Sequence, residues 1–233
     1  MLKNDLSVIV IQRIWQGLGG FVTALLIALC LSRAEQGWYY TFISLAALYS
    51  FFEMGLSNIL VKHSASMFIE LEWLRHGDVK GDKSSEFLSF FSRSLVVYLI
   101  LMTLFFIVSF FIGYLVFSNK SDEIISLSVW LFPWITLILM TTLNTLSFPF
   151  LAVIEGSGKI QEIYQLRLIQ GILGSVATWI TLLMGGWLWA SAMIPFISFV
   201  IVCIWLVFFR KKLFVAAFNF TEKKYGHCNG VQG

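Results

Sequence analysis

The sequence has 233 residues, of which 58% are hydrophobic, 17% are aromatic and only 12% are charged. About a quarter of the residues of a soluble globular protein are charged, so this composition excludes an ordinary soluble domain and indicates a membrane protein. The net charge of +3 comes from basic residues that lie in the gaps between apolar runs. That distribution is typical of membrane topology and indicates no nucleic-acid partner.

The N-terminal segment 1–13 predicts a short amphipathic helix lying at the cytoplasmic interface, with Arg13 at its end. Residues 14–32 then form an uncharged run that is long enough to cross a bilayer core. This run lacks a small-residue cleavage site, so it predicts an uncleaved first span rather than a signal peptide.

The second predicted span, from Trp38 to Val61, has Glu53 as its single charged residue. A charged side chain near the middle of a membrane helix costs about 2.5–3.5 kcal/mol on insertion scales. Glu53 is therefore expected to face protein or a water-filled cavity, or to be protonated. Two roles are open for it, a cavity group that takes part in proton coupling, or a structural partner of a nearby arginine, Asn58 or the backbone.

The segment 62–93 is the long polar stretch of the first half of the chain. Its pattern predicts a cytoplasmic elbow made of two amphipathic helices that are broken at Gly77 and Gly81. Ser84 is a plausible N-cap for the second of these helices, with an acidic residue in the following turn.

Two uncharged windows, 94–119 and 124–154, predict the third and fourth spans, joined by a short acidic loop. The fourth window contains Pro133 and Pro149 and is longer than a straight crossing requires. Tilt, a kink at one of these prolines, or interfacial ends must therefore absorb the excess length.

Residues 168–209 form an uncharged run of 42 residues, which one span cannot use. This run predicts a helical hairpin that turns at Gly185 and Gly186. The fold prediction is therefore an all-α polytopic membrane protein, with six transmembrane helices in one bundle over residues 14–210. Residues 211–233 are predicted to be a cytoplasmic tail.

The orientation is predicted from the basic residues. With a cytoplasmic N-terminus, 14 of the 16 lysines and arginines lie on the inside, and only Arg33 and Lys120 lie outside. Aromatic residues mark the outer beginnings of spans two, four and six, which forms an interfacial belt. Both termini are therefore predicted to be cytoplasmic.

Three motifs give the chain a resemblance to a transporter family. They are residues 36–39 (QGWY) before span two, residues 53–56 (EMGL) within it, and residues 155–159 (EGSGK) before span five. In this order relative to six spans, they resemble the bacterial polysaccharide and O-antigen flippases of the multidrug, oligosaccharidyl-lipid and polysaccharide exporter superfamily. The resemblance covers roughly residues 8–210 and implies a location in the bacterial inner membrane.

The resemblance also implies an architecture and a partner. Such flippases have two six-helix bundles with the substrate cavity between them, and this chain resembles the first bundle, the N-terminal lobe. We therefore expect a truncated or frameshifted gene, and a missing C-terminal half or a homodimer partner to complete the transporter.

The substrate implied by the resemblance is a polyprenyl-pyrophosphate-linked glycan, whose lipid tail stays in contact with membrane lipid. Its anionic, sugar-rich head requires cationic or hydrogen-bonding groups facing a cavity. The candidate substrate-path residues are Arg13, Glu53, Asn58, Lys62, Arg93, Asn144, Lys159, Arg167 and Gln170. Each basic residue could instead anchor the chain at the membrane interface. For Asn144 and Gln170, the alternative role is to form hydrogen bonds between helices.

Two alternatives to a flippase are a drug or cation exporter of the same superfamily and an inactive remnant or assembly protein of a polysaccharide locus. An enzyme is not predicted, because the chain has no nucleophile motif and no paired carboxylates at acid–base spacing. The glycine-rich residues 156–159 lack the spacing of a phosphate-binding loop. No cofactor and no metal site are predicted.

Overall fold

The computed structural model describes residues 2–74, 78–120, 126–213 and 215. Its helices are α1 (Leu2–Cys30), α2 (Arg33–Ala46), α3 (Tyr49–Glu53), α4 (Leu56–Met67), α5 (Ser84–Lys120), α6 (Leu127–Leu146), α7 (Phe148–Gly156), α8 (Ile160–Leu183) and α9 (Ala190–Phe209). Two short strands, β1 (Glu72–Trp73) and β2 (Val79–Lys80), lie between α4 and α5.

The helices form an all-α polytopic bundle, as predicted. Five helical segments are long and apolar enough to cross a membrane, and the number is six when α2 to α4 count as one bent span. Helix α1 packs against α8, α8 packs against α9, and α6 packs against both α5 and α9. Helix α4 packs against α7, and α2 contacts α5 and α6, so the bent span also belongs to this bundle.

The N-terminal segment 1–13 is not a separate helix, which corrects that part of the prediction. Helix α1 runs without a break through Arg13 to Cys30. Residues 9–16 contain no glycine, no proline and no residue with a short capping side chain, so nothing interrupts the backbone hydrogen bonds there.

The second span is broken at its charged residue. Helix α3 ends at Glu53, and both Met54 (φ 49°) and Gly55 (φ 73°) adopt the left-handed conformation before α4 begins. The two parts of the span meet at an angle of 40°. Glycine adopts this conformation without steric strain, whereas methionine does so only when its surroundings hold it there.

The fourth span is divided between α6 and α7. Pro149 lies in the first turn of α7, where a missing N–H does not remove a helical hydrogen bond, and Pro133 lies inside α6. At the junction the Ser147 hydroxyl donates a hydrogen bond to the Asn144 carbonyl, with an oxygen–oxygen distance of 2.6 Å. The junction between α6 and α7 therefore lies beside Pro149. A kink at a proline is one of the three predicted ways to absorb the extra length of this window.

The elbow differs from its prediction, because its middle forms a β-hairpin and not an amphipathic helix. Strands β1 and β2 pair antiparallel, with Trp73 opposite Val79. The Trp73 indole N–H donates to the Ser157 hydroxyl at 2.7 Å, and the Arg210 guanidinium lies 5.0 Å from the centre of the Trp73 ring. These contacts with distant parts of the chain outweigh the local helical pattern.

The other predicted turns have mixed outcomes. Gly185 adopts φ 78° between α8 and α9, so the helical hairpin over 168–209 is confirmed. Ser84 is the first residue of α5, with Glu86 in the first turn. The acidic loop 121–125, Gly77 and the tail beyond residue 215 lie outside the described residues.

An aromatic cluster fills the bundle at the end opposite the elbow. Trp38, Phe42, Phe117, Trp130 and Trp134 come from α2, α5 and α6, and each is at least nine-tenths buried. Trp38 stacks on Phe117 with a centroid distance of 5.3 Å, and Phe42 meets Trp134 edge to face at 5.2 Å. This end of the bundle is therefore closely packed with aromatic side chains.

Close packing at the aromatic cluster predicts an effect of Gly113→Ala in α5. A Cβ at Gly113 would overlap the Trp134 ring, and overpacking of this kind costs about 1–3 kcal/mol. We expect the variant to unfold at a lower temperature than the wild-type protein in the same detergent. Gly20→Ala is the matched control, because a Cβ at Gly20 meets no atom within 4 Å. Equal losses in the two variants would contradict the packing described here.

Candidate functional site

A cavity of about 580 Å³ lies among α1, α4, α6, α7, α8 and α9, toward the end of the bundle that carries the elbow. Arg167 and Gln170 are the eighth and eleventh residues of α8. At about 1.5 Å of rise per residue, they lie roughly 10 and 15 Å along that helix. The cavity therefore extends at least about 15 Å along α8 from the end of that helix nearest the elbow.

The cavity brings together five of the nine candidate residues, contributed by four different helices, namely Arg13, Asn58, Asn144, Arg167 and Gln170. Lys62, Arg93 and Lys159 do not line it and have exposed side chains. Glu53 does not line it either, although the neighbouring Ser57 does. The apolar part of the wall comes mainly from α7, which presents Phe148, Leu151 and Ala152.

One ion pair lies in the cavity wall. The Arg167 guanidinium donates from Nη2 to Oε2 of Glu155 at 2.9 Å. The same guanidinium lies over the Tyr164 ring at 5.2 Å from its centroid. The pair joins the end of α7 to α8, and its side chains are 17% exposed for Glu155 and 37% exposed for Arg167.

Helix α1 contributes a polar face to the cavity. Arg13 is exposed there, its guanidinium lies 3.4 Å from the Gln16 amide oxygen, and it forms no ion pair in the described part of the chain. Gln12 is only 4% exposed, and its amide oxygen accepts no hydrogen bond from any described residue. An acceptor that is buried without a partner costs about 1–3 kcal/mol, which a hydroxyl or amide donor in the cavity would offset.

Small residues hold α1 beside α8. A Cβ at Gly19 would lie 3.1 Å from the Ser175 hydroxyl, and one at Gly171 would lie 3.4 Å from the Trp15 ring. Close approach of small residues is the usual means by which membrane helices associate. On the far side of α8, the Gln170 amide donates to the Ser198 carbonyl of α9 at 3.0 Å. The polar wall is therefore fixed by contacts on both sides of α8.

Glu53 is a structural partner of the backbone at the break in the second span. Its carboxylate accepts hydrogen bonds from the backbone N–H groups of Gly55 at 2.9 Å and Ser57 at 2.7 Å. It also accepts from the Ser57 hydroxyl at 2.6 Å and from the Tyr98 hydroxyl at 2.9 Å. The carboxylate thereby satisfies donors at the start of α4 and ties them to α5, a stabilising place for a negative charge.

Sequence reasoning missed six polar residues of the cavity, namely Gln12, Gln16, Ser57, Glu155, Tyr164 and Ser198. The spacing of Gln12 and Gln16, four residues apart on a helix, was a usable signal, because it places both amides on one face. Glu155 lies in the motif over residues 155–159, before span five, and is not among the candidate substrate-path residues. Tyr164 gave no signal beyond its position three residues before Arg167.

The described residues contain no group of three or more histidine, cysteine, aspartate or glutamate side chains that could hold a metal ion. A comparison with protein-family models finds no match, and no curated protein and no solved structure matches the chain.

The hydrogen bonds of Glu53 predict a loss of stability in Glu53→Ala. Hydrogen bonds to a charged group contribute about 1.5–3 kcal/mol each, so we expect a decrease of at least this size in the free energy of unfolding. Tyr98→Phe removes one of the four donors and leaves the others, so it is expected to cost about 1.5 kcal/mol, less than Glu53→Ala. Unfolding by a denaturing detergent, followed by circular dichroism, measures both variants. Wild-type stability in Glu53→Ala would show that the carboxylate does not hold the break.

Proposed function

We propose that the chain is one six-helix bundle of a transporter that moves a polyprenyl-pyrophosphate-linked oligosaccharide across the inner membrane of a bacterium. The observation that carries this proposal is the cavity, in which two arginines and five side-chain amides face a partly apolar wall. Guanidinium groups suit phosphate oxygens, and amides suit sugar hydroxyls.

The charge of the cavity favours this substrate class over the cation exporter. Its wall contains Arg13, Arg167 and Glu155 as charged residues, which gives a formal net charge of +1. A site for a drug cation is expected to have an excess of acidic and aromatic side chains instead. A positive cavity within the membrane attracts an anionic headgroup more strongly than the same charges would in water.

The distribution of basic residues supports the proposed orientation. The cavity lies toward the end of the bundle that carries the elbow, and 14 of the 16 basic residues are assigned to that side. We place this side and both termini in the cytoplasm, so that the cavity receives the lipid-linked glycan from the cytoplasmic leaflet.

A second six-helix bundle is part of the proposal. Two bundles that rock against each other can open a shared cavity to one side of the membrane at a time. The second bundle is supplied either by a second copy of this chain or by a partner chain. An inactive remnant of such a transporter would keep the fold without binding the substrate, so binding is the property to test.

Arg13→Gln tests the proposal, because it removes a cation from the cavity without leaving a carboxylate unpaired. We expect it to weaken binding of a polyprenyl-pyrophosphate oligosaccharide by about tenfold, equivalent to about 1.4 kcal/mol. Binding is measured by calorimetry on protein in lipid nanodiscs. Arg93→Gln is the matched control, since Arg93 is exposed outside the cavity. A wild-type affinity in Arg13→Gln, or an equal loss in both variants, would contradict the proposed function.

A further inference from the structure

The ion pair of the cavity wall places an anion where the substrate's anion would bind. Arg167 contacts Glu155 through Nη2 at 2.9 Å, and no other acceptor in the described part of the chain hydrogen-bonds to this guanidinium. Carboxylate and phosphate oxygens are both good acceptors for guanidinium N–H groups. A phosphate that reaches Arg167 therefore competes with Glu155.

The two arginines of the cavity consequently differ in availability. Arg13 forms no ion pair in the described part of the chain, whereas Arg167 already has a carboxylate partner. One phosphate group can bind at Arg13 without disturbing any ion pair. Arg167 is the other cation of the cavity, and there the negative charge of Glu155 opposes a second phosphate group unless Glu155 gives up the guanidinium.

We propose that Glu155 is a specificity-determining residue, an internal anion that occupies Arg167 and must be displaced by the second phosphate of a polyprenyl diphosphate headgroup. This inference rests on the proposed function and adds to it the residue that sets the affinity for the diphosphate. Glu155 lowers that affinity, and its return to Arg167 favours release of the headgroup after transport.

The positions of the two residues suit such an exchange. Glu155 is the eighth of the nine residues of α7, and Arg167 is in the second turn of α8, so the pair bridges a short connection. Both side chains line the cavity and retain partial exposure. After displacement, the Arg167 guanidinium keeps its position over the Tyr164 ring, and cation–π contact does not occupy its N–H donors.

A second ion pair on α8 provides a matched control. Glu162 accepts a hydrogen bond from Arg210 at 2.8 Å, with side-chain exposures of 31% and 10%. This pair has the same chemistry and nearly the same length as the pair of Glu155, but neither of its residues lines the cavity. A variant of Glu162 therefore shows the effect of losing an ion pair on α8, and a variant of Glu155 shows the additional effect of losing the anion inside the cavity.

The test compares two probes, polyprenyl diphosphate and polyprenyl monophosphate of equal chain length, in calorimetric titrations of protein in nanodiscs. An exposed or half-exposed ion pair contributes up to about 1 kcal/mol, which corresponds to about a fivefold change in affinity. We therefore expect Glu155→Gln to raise the ratio of diphosphate to monophosphate affinity about fivefold. Glu162→Gln is expected to leave this ratio unchanged.

Two further variants separate competition from a structural effect. Glu155→Asp keeps the negative charge, so it should restore most of the wild-type affinity ratio. Combining Arg167→Gln with Glu155→Gln should abolish the gain, because the freed guanidinium is then absent. An unchanged ratio in Glu155→Gln, or the same gain in Glu162→Gln, would overturn this inference while leaving the proposed function standing. Failure of folded wild-type protein to bind either lipid would overturn the proposed function and this inference together.

Discussion

Within the hydrocarbon of a membrane, every backbone N–H and C=O group needs a partner inside the protein, and this constraint governs the two spans that are not continuous helices. At the first break, the Glu53 carboxylate accepts hydrogen bonds from the backbone of Gly55 and Ser57. At the second, the Ser147 hydroxyl and backbone N–H both donate to the Asn144 carbonyl. A charge that would be unfavourable in a straight span is stabilising at a helix end that it caps.

The breaks also determine where the cavity lies. The helices that follow them, α4 and α7, pack against each other so closely that a Cβ at Gly156 would overlap the backbone oxygen of Val61. Asn58 and Asn144 lie next to the breaks and face the polar residues of α1 and α8 across the cavity. Opposite the elbow, the straight parts of the same spans contribute to the aromatic cluster. One end of the bundle is thus closely packed, and the other contains a polar cavity.

The sequence was sufficient for the features that depend on local hydrophobicity and on backbone conformation. Uninterrupted apolar runs predicted the six crossings, and paired glycines predicted the turn that Gly185 makes. The elbow hairpin was not predicted, because Trp73 is held by Ser157, which lies 84 residues away in the chain. Five of the nine candidate residues lie together in the cavity, and Glu155, which was not a candidate, lies there too. This grouping depends on contacts between residues that are distant in the chain, which local sequence patterns do not show. A hydrophobic pattern gives the membrane depth of a side chain, but helix packing decides which side chains share a cavity.

The most direct measurement is the accessibility of Asn144 to solvent on each side of the membrane. With the native cysteines replaced by serine, Asn144→Cys is treated with a membrane-impermeant maleimide in vesicles of known orientation. We predict labelling from the side of the elbow, and protection by a polyprenyl-pyrophosphate oligosaccharide but not by the free sugar. Labelling only from the opposite side, or labelling that the lipid-linked glycan does not reduce, would contradict a cavity that receives this substrate from the cytoplasmic leaflet.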